Sequence, residues 1–338
     1  MTQINRCLYL DDQHQLTLRH EPVPVPAADE VLVRIMANGI CGSDVHFYKE
    51  GRLGNFVVTK PYIPGHEASG QIVALGSAVT GKAVGDKVVI EPGIPCGCCA
   101  WCRSGRYNLC PSVVFLSAPP VNGTFCDYLT IRADMVLPMP AGLGFAEAAL
   151  VEPAAVAVQA VKRARFALGA SALIVGAGPI GLLVLQAFRA AGGGPVWCAD
   201  LQPSRLETAA RLGGKSWPDA AQPDVDVVFD TSGSAKACAG LFAHARAGGC
   251  IVQVGWPTGN LVTMNVAELI EKELDYVGVN RYANAFPAAL EYIADGRIQA
   301  APLITHRFSL DEAAEAFRFT ASHPGEVIKT VVINEPLC

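Results

Sequence analysis

The spacing of apolar residues changes along the chain, and the changes predict its elements. "EVLVRIMANGI" (30–40) is almost continuously apolar and reads as a buried strand. "ALIVGAGPIG" (172–181) begins as a β-type run and breaks into glycines. A helical pattern follows over "IGLLVLQAFRAAGGG", and "PVWCAD" then reads as a second strand ending at Asp200. Residues 203–212 are helix-like, "VDVVFD" (225–230) strand-like, 234–247 helix-like and "CIVQVG" (250–255) strand-like. This alternation predicts a doubly wound parallel sheet with helices on both faces, hence an α/β protein. The Leu, Ile and Val stripes in 179–190 and 284–293 are simplest as core-facing sides of helices.

Composition narrows the picture. The 338 residues are 51% hydrophobic with a net charge of −5, which suggests two domains and excludes a disordered chain. Mild acidity and the lack of a long basic run give no reason to expect a nucleic-acid partner. The start, "MTQINRCLYLDD", shows no secretion signal. The apolar stretch 172–198 is rich in Gly and holds Arg189, so it makes a poor membrane span. No internal repeat stands out. Without a secretion signal the expected location is the cytoplasm. The twelve cysteines are then expected to be thiols or metal ligands and not disulfides.

The glycine break has the spacing Gly176-x-Gly178-x-x-Gly181, enclosing Pro179 and Ile180. A strand precedes it, a helix follows, and an acid lies about 20 residues on, as a dinucleotide-binding unit requires. Gly176 would make the turn, Gly178 would admit the pyrophosphate, and Gly181 would let helix and strand pack closely. The helix N-terminus would supply N–H groups to the phosphates. Asp200 can accept hydrogen bonds from the ribose diol of NAD, and it would repel a 2′-phosphate by roughly 4 kcal/mol at 4 Å. Arg205 could stack on adenine or attract phosphate, so NAD is favoured over NADP without being the sole reading.

"CGCCAWCRSGRYNLC" (96–110) sets Cys96, Cys99, Cys102 and Cys110 at C-x2-C-x2-C-x7-C. Four thiolates so spaced can enclose one tetrahedral zinc, a closed and therefore structural site. Cys98 is out of step and reads as a spare thiol. Free or disulfide-paired cysteines and an iron–sulfur cluster are the rival readings. A second set is open: Cys41 in "GICGSDVHFYKEGRLGN", His66 and Glu67 in "PGHEASG", and Glu152 in "ALVEPAAVAVQA". A Cys, a His and carboxylates can bind zinc and leave one position for substrate. Taken singly, a His-Glu pair is as readily a hydrogen-bonded polar pair, and a Cys a small core residue.

In this setting the chain resembles the zinc-dependent medium-chain dehydrogenases/reductases, and within them the sorbitol (polyol) dehydrogenases. "NGICGSDVHFYKEGRLGNFVVTKPYIPGHEASG", "GRYNLCPSV", "GTFCDYL", "VEPAAVAVQA", "GAGPIG", "GVNRY" and "LITHRFSLDEAAEAF" occur in the family's order over essentially the whole chain. The resemblance implies a GroES-like β-rich catalytic domain over 1–154, with the cysteine lobe at 93–111. A Rossmann NAD-binding domain would cover 155–283, and a segment 284–338 would return to the catalytic part, with the active site in the cleft between domains. It implies Cys41 and His66 as catalytic-zinc ligands, Glu67 as a direct or alternating ligand, and Glu152 on the zinc or its water. Ser43 and His46 would pass the alcohol proton toward solvent, while Phe47, Tyr48, Phe115, Arg281 and Tyr282 would face substrate. Two zinc ions, NAD and a homo-tetramer or dimer follow from the same likeness.

Two departures bear on substrate. Phe47 stands where many polyol dehydrogenases have Tyr, and Asn280 where an aromatic residue is common. The four-cysteine lobe is absent from some sorbitol dehydrogenases. The expected reaction is oxidation of a secondary hydroxyl of a sorbitol- or xylitol-like polyol to a ketose, with hydride passing to NAD. An amino-alcohol, cyclitol or aminocyclitol dehydrogenase of the same family, and a non-catalytic dinucleotide sensor, remain as alternatives. His244 and His306 fit no constellation.

Overall fold

The structure is a computed structural model and describes residues 4–217, 223–257 and 259–334. It divides into two compact units, Met1–Glu152 with Ile304–Cys338, and Pro153–Leu303.

The first unit opens with a hairpin, β1 (Ile4–Leu10) and β2 (Leu16–Pro22). The ten-residue strand β3 (Glu30–Gly39) follows, then helix α1 (Gly42–Glu50), β4 (Glu67–Leu75), β5 (Lys87–Ile90), the one-turn helix α2 (Ala100–Arg103), β6 (Tyr128–Arg132) and β7 (Val136–Pro138). Helix α3 (Val151–Ala164) begins in this unit.

The second unit is a six-stranded, all-parallel sheet. Its strands are β8 (Ala172–Val175), β9 (Val196–Ala199), β10 (Lys215–Ser216), β11 (Val225–Asp230), β12 (Ala245–Gln253) and β13 (Asp275–Gly278), in the order β10-β9-β8-β11-β12-β13. Helices α4 (Pro179–Ala190) and α5 (Pro203–Arg211) cross over between its first strands, and α6 (Phe286–Ala294) ends it. Eight residues of α4, Gly181 to Phe188, are buried, with Gln186 the one polar side chain among them, as the apolar pattern requires.

The chain then returns to the first unit as β14 (Ile304–Ser309), α7 (Ala313–Ser322) and β15 (Lys329–Ile333). The resulting mixed sheet runs β7-β5-β4-β3-β15-β14, with β6 also on β3. β3 lies in the middle because its pleat is apolar on both sides: Val31, Val33, Ile35 and Ala37 are wholly buried, and Leu32 and Met36 nearly so. Ile72, Val88, Ile90, Phe125 and Phe317 complete the core around it.

Two expectations are corrected. Residues 234–247 are not one helix. Ala235–Ala239 and Leu241–His244 are separate short helices that meet at Gly240, and the chain is already in β12 at Ala245, opposite Val225. Residues 284–303 belong with the parallel sheet and not with the returning segment. They fall within the second unit, and the Gln299 N–H donates to Gln186 on α4 at 2.7 Å.

Candidate active site

Three neighbouring strands of the mixed sheet converge at one edge. The β3–β4 ladder closes on the pair Gly39↔Glu67, and Gly39 also faces Val331 of β15. A side chain at Gly39 would meet the Glu67 carboxylate at 2.1 Å, so glycine there makes room for an acid in the interior. Glu67 is 1% exposed.

Cys41 lies just beyond this edge as the N-cap of α1. Its backbone N–H donates to Asp44 Oδ2 at 3.0 Å. Asp44 is wholly buried, and its other oxygen accepts from the Gly65 N–H at 3.2 Å and the Ser117 hydroxyl at 2.9 Å. The same oxygen is 3.8 Å from His66 Nδ1. One carboxylate thus ties the start of α1 to the turn that carries His66. In consequence Cys41, His66 and Glu67 each offer a ligand atom within 4.8 Å of the others.

The donor set suits a soft-to-borderline cation. Burial by itself lowers the affinity of the His66 imidazole for a proton. The Cys41 thiolate, Asp44 and Glu152 outweigh that and raise its pKa well above the ordinary value. The same groups that favour a proton on the buried imidazole would favour a cation in its place. His66 Nδ1 is buried without a hydrogen-bond partner. Glu152, in the first turn of α3 and 5% exposed, is near enough to act electrostatically on both His66 and Lys329.

Lys329 was missed by the sequence reading. It is 2% exposed, and its ammonium donates to both Glu67 oxygens, at 2.7 and 2.8 Å, and to the Ile40 carbonyl at 3.1 Å. Burial opposes its charge, but Glu67 and Cys41 more than compensate, and its pKa is raised. The available signal was a lone cation opening the apolar strand "KTVVI". Asp44 was missed too; its signal was an acid three residues after a helix-capping position.

The cysteine quartet is equally compact. All four Sγ atoms lie within 4.8 Å of one another. A tetrahedron of Zn–S bonds of about 2.3 Å has S···S edges of about 3.8 Å. The Cys96–Cys102 and Cys99–Cys102 separations are 3.9 and 3.4 Å. Backbone N–H groups of Cys98 and Cys99, with the Cys110 thiol, pull Cys96 down to about 6. Burial and the Cys99 thiol push Cys102 up to about 12. Cys98 lies outside the quartet.

The glycine loop of the second unit has the predicted form. Gly176 has φ 96°, and a Cβ on Gly181 would strike the Gly176 carbonyl oxygen at 1.9 Å. Gly178 is the N-cap of α4, with Pro179 in the first turn followed by Ile180. A Cβ on Gly178 would find only Arg205, 3.7 Å away, so this side of the loop is open. Asp200 accepts from the Ala177 N–H at 2.7 Å and the Gln202 N–H at 2.8 Å, and is 3.7 Å from the Arg205 guanidinium.

The remaining expected residues separate. Ser43 is half-buried on α1. His46 is half-exposed, with Nδ1 3.2 Å from Glu50. The Phe115 ring is 5.6 Å from the His66 imidazole. Phe47, expected to face substrate, instead packs with Leu10, Val58 and Tyr62 in a small core of its own. Tyr48 lies edge-on to Phe317. In the second unit Arg281 takes a left-handed backbone (φ 53°), and burial lowers its pKa. Tyr282 is 2% exposed against Phe286.

Residues 27–141 match the alcohol dehydrogenase GroES-like domain, and residues 179–295 match the zinc-binding dehydrogenase domain. The chain is 39% identical over 336 residues to a sorbitol dehydrogenase of Bacillus subtilis (strain 168), covering 96% of this chain and 95% of that one. The chain belongs to the zinc-dependent medium-chain dehydrogenases. Within them it falls in the sorbitol dehydrogenase branch, and its cofactors are zinc and NAD. Two solved Escherichia coli structures have the same fold. L-idonate 5-dehydrogenase superposes with a TM-score of 0.92 at 29% identity, over 98% of this chain and 99% of that one. A short chain alcohol dehydrogenase from strain CFT073, complexed with cofactor NADH, superposes at 0.89 and 25% identity with the same coverage. The family accounts for the GroES-like and Rossmann architecture of the two units. No helix among the described residues is long and apolar enough to cross a membrane.

Proposed function

We propose that this dehydrogenase oxidises a secondary hydroxyl of a sorbitol- or xylitol-like polyol to the ketose, with NAD as hydride acceptor. The observation that carries the reading is the convergence of half-buried Cys41 with buried His66 and Glu67, whose carboxylate is held from behind by Lys329. In this reading Cys41 and His66 would hold the catalytic zinc, with Glu67 as a direct or alternating ligand. When bound, zinc supplies Lewis acidity toward the substrate hydroxyl. Cys96, Cys99, Cys102 and Cys110 hold the structural zinc. Asp44 keeps Cys41 and His66 in place. Glu152 is a buried carboxylate in reach of the same charges and serves as proton acceptor. Ser43 and His46 carry the proton outward, and the half-exposed His46 releases it beside Glu50. The Gly176–Gly181 loop and the N-terminus of α4 receive the pyrophosphate, and Asp200 receives the ribose diol. NAD, when bound, accepts the hydride.

The test is NADH formation with sorbitol, xylitol, galactitol, inositols, aminocyclitols and L-threonine, before and after chelation. Polyol turnover that a chelator abolishes and added zinc restores is expected. Turnover confined to threonine or an aminocyclitol would move the enzyme to another branch, and zinc-replete silence across the panel would sink the polyol reading. Asp200→Ala is expected to raise KM for NAD about tenfold while improving use of NADP. Unchanged selectivity in steady-state kinetics would show that another residue reads the ribose.

The same proposal includes a homo-oligomer, a tetramer or dimer. β13 is an edge strand of the parallel sheet, and Trp256, Leu261, Val266, Ile270 and Tyr276 nearby in sequence are exposed. The eleven free cysteines of the described residues fit a reducing cytoplasm.

A further inference from the structure

The cysteine lobe holds five sulfurs for four metal positions. Cys98 is not one of the quartet, yet its Sγ is 3.7 Å from Cys96 Sγ, in van der Waals contact. Cys96 and Cys98 are both exposed, whereas Cys99 and Cys102 are half-buried and Cys110 is buried. A small oxidant in solvent therefore meets the Cys96–Cys98 corner first. The two are joined only through Gly97, which has φ 74° and nothing within 4 Å of where a side chain would begin. This turn places both sulfurs on one side and can tighten without displacing a packed neighbour. The adjoining helix α2 has no buried residue, so the corner can move without cost to the core.

We propose that Cys96-Gly97-Cys98 is a peroxide-sensitive switch on the structural zinc, with Cys98 as the thiol that resolves oxidised Cys96. The inference rests on the reading of the quartet as a zinc site. The zinc-bound Cys96 thiolate attacks one oxygen of hydrogen peroxide; the O–O bond breaks, hydroxide leaves and takes a proton from solvent to become water, and Cys96 becomes a sulfenic acid. The Cys98 sulfur then attacks the Cys96 sulfur. An S–S bond forms, the S–O bond breaks, and the hydroxyl leaves as a second water with the Cys98 proton. In sum, one thiolate, one thiol, one peroxide and one proton give one disulfide and two waters, with the sulfurs oxidised by two electrons and the peroxide reduced by two. A disulfide sulfur is no longer a thiolate ligand, so the quartet drops to three and zinc is released. The ring closes over a single glycine at the surface. Strained, exposed disulfides are the easily reduced kind, so a thiol reductant should reverse the change.

The test treats the purified zinc-loaded enzyme with hydrogen peroxide, follows released zinc with a chromogenic chelator and maps disulfides by mass spectrometry. Before treatment, two zinc ions per chain are expected. After treatment one is expected in solution, with a Cys96–Cys98 cross-link, and dithiothreitol plus zinc restores the starting state. Cys98→Ser should start with both zincs and an unchanged melting temperature. Its loss of the lobe zinc should be irreversible, with Cys96 advancing to a sulfinic acid that dithiothreitol does not rescue. Release from Cys98→Ser that dithiothreitol and zinc reverse as fully as in wild type, or a cross-link from Cys96 to Cys99 or Cys102 in its place, would overturn the switch and leave the zinc site standing. A single zinc in the untreated enzyme would overturn the zinc reading of the quartet, and the switch with it.

Discussion

Lys329→Met is expected to cost about 3–5 kcal/mol of stability and most of the turnover. Methionine fills nearly the same volume, so packing loss is the smaller part of the effect. The larger part is Glu67, which would keep a charge in the interior without the ammonium that now contacts both of its oxygens at 2.7 and 2.8 Å. The Ile40 carbonyl, next to the Cys41 ligand, would lose its donor too. The double variant Lys329→Met with Glu67→Gln separates stability from function. Removing both charges should restore most of the denaturant midpoint, because a missing buried pair costs far less than a broken one. Turnover should stay low, because the carboxylate in the metal group is gone. Pairing also sets a pH limit. Lys329 is raised above its unfolded value, so its contribution is complete below about pH 10.4 and fades only as pH climbs through the folded pKa. Across the neutral range it should be constant. A single variant as stable as wild type would show that the buried pair is not a determinant of the fold.

The second large effect separates the two metal groups. Cys41→Ser is expected to lower kcat/KM by at least about a thousandfold and to remove one zinc per chain, with the melting temperature nearly kept. Cys41 caps α1 through its backbone N–H to Asp44, and that contact survives the substitution. Cys102→Ser should do the reverse, removing the other zinc and lowering the melting temperature while the remaining folded enzyme stays active. The quartet closes a loop with little core of its own: Cys99 N-caps α2, and α2 buries nothing, so the metal is its main cross-link. Metal analysis, thermal melts and steady-state kinetics on the two variants settle the point. Full activity in a folded Cys41→Ser enzyme would refute the catalytic assignment. An unchanged melt in Cys102→Ser would show that the lobe stands without its metal.

The elements that could be read from the chain are those whose chemistry is local. The strand–glycine loop–helix over 172–190, Asp200 after the second strand, and the four cysteines within fifteen residues all appear where their spacing put them. Period and turn chemistry act between near neighbours, so sequence carries them. The one element misread among these, 234–247, failed because Gly240 and the early start of β12 at Ala245 overrode a helical pattern.

The active-site group was legible only in part. Cys41, His66 and Glu67 could be named as metal-competent, but on spacing alone they could equally have been a core thiol and a polar pair. Their convergence comes from the β3–β4 register, which sets Gly39 opposite Glu67, and from Asp44 tying α1 to the Gly65 turn. Phe47 was read by its place in the motif as a substrate residue, and its packing against Tyr62 and Leu10 could not be seen there.

By itself, then, the sequence determined a nucleotide loop, a four-thiol lobe and the apolar strands of two units, because each depends on residues a few positions apart. Only the tertiary structure decided that Lys329 backs Glu67 from 262 positions away, that Asp44 braces two separate loops, and that 284–303 stays with the parallel sheet. A charge is tolerated in the interior only beside an opposite charge or a set of hydrogen-bond donors, and which segment supplies those partners is settled by sheet order, a long-range property that no local pattern encodes.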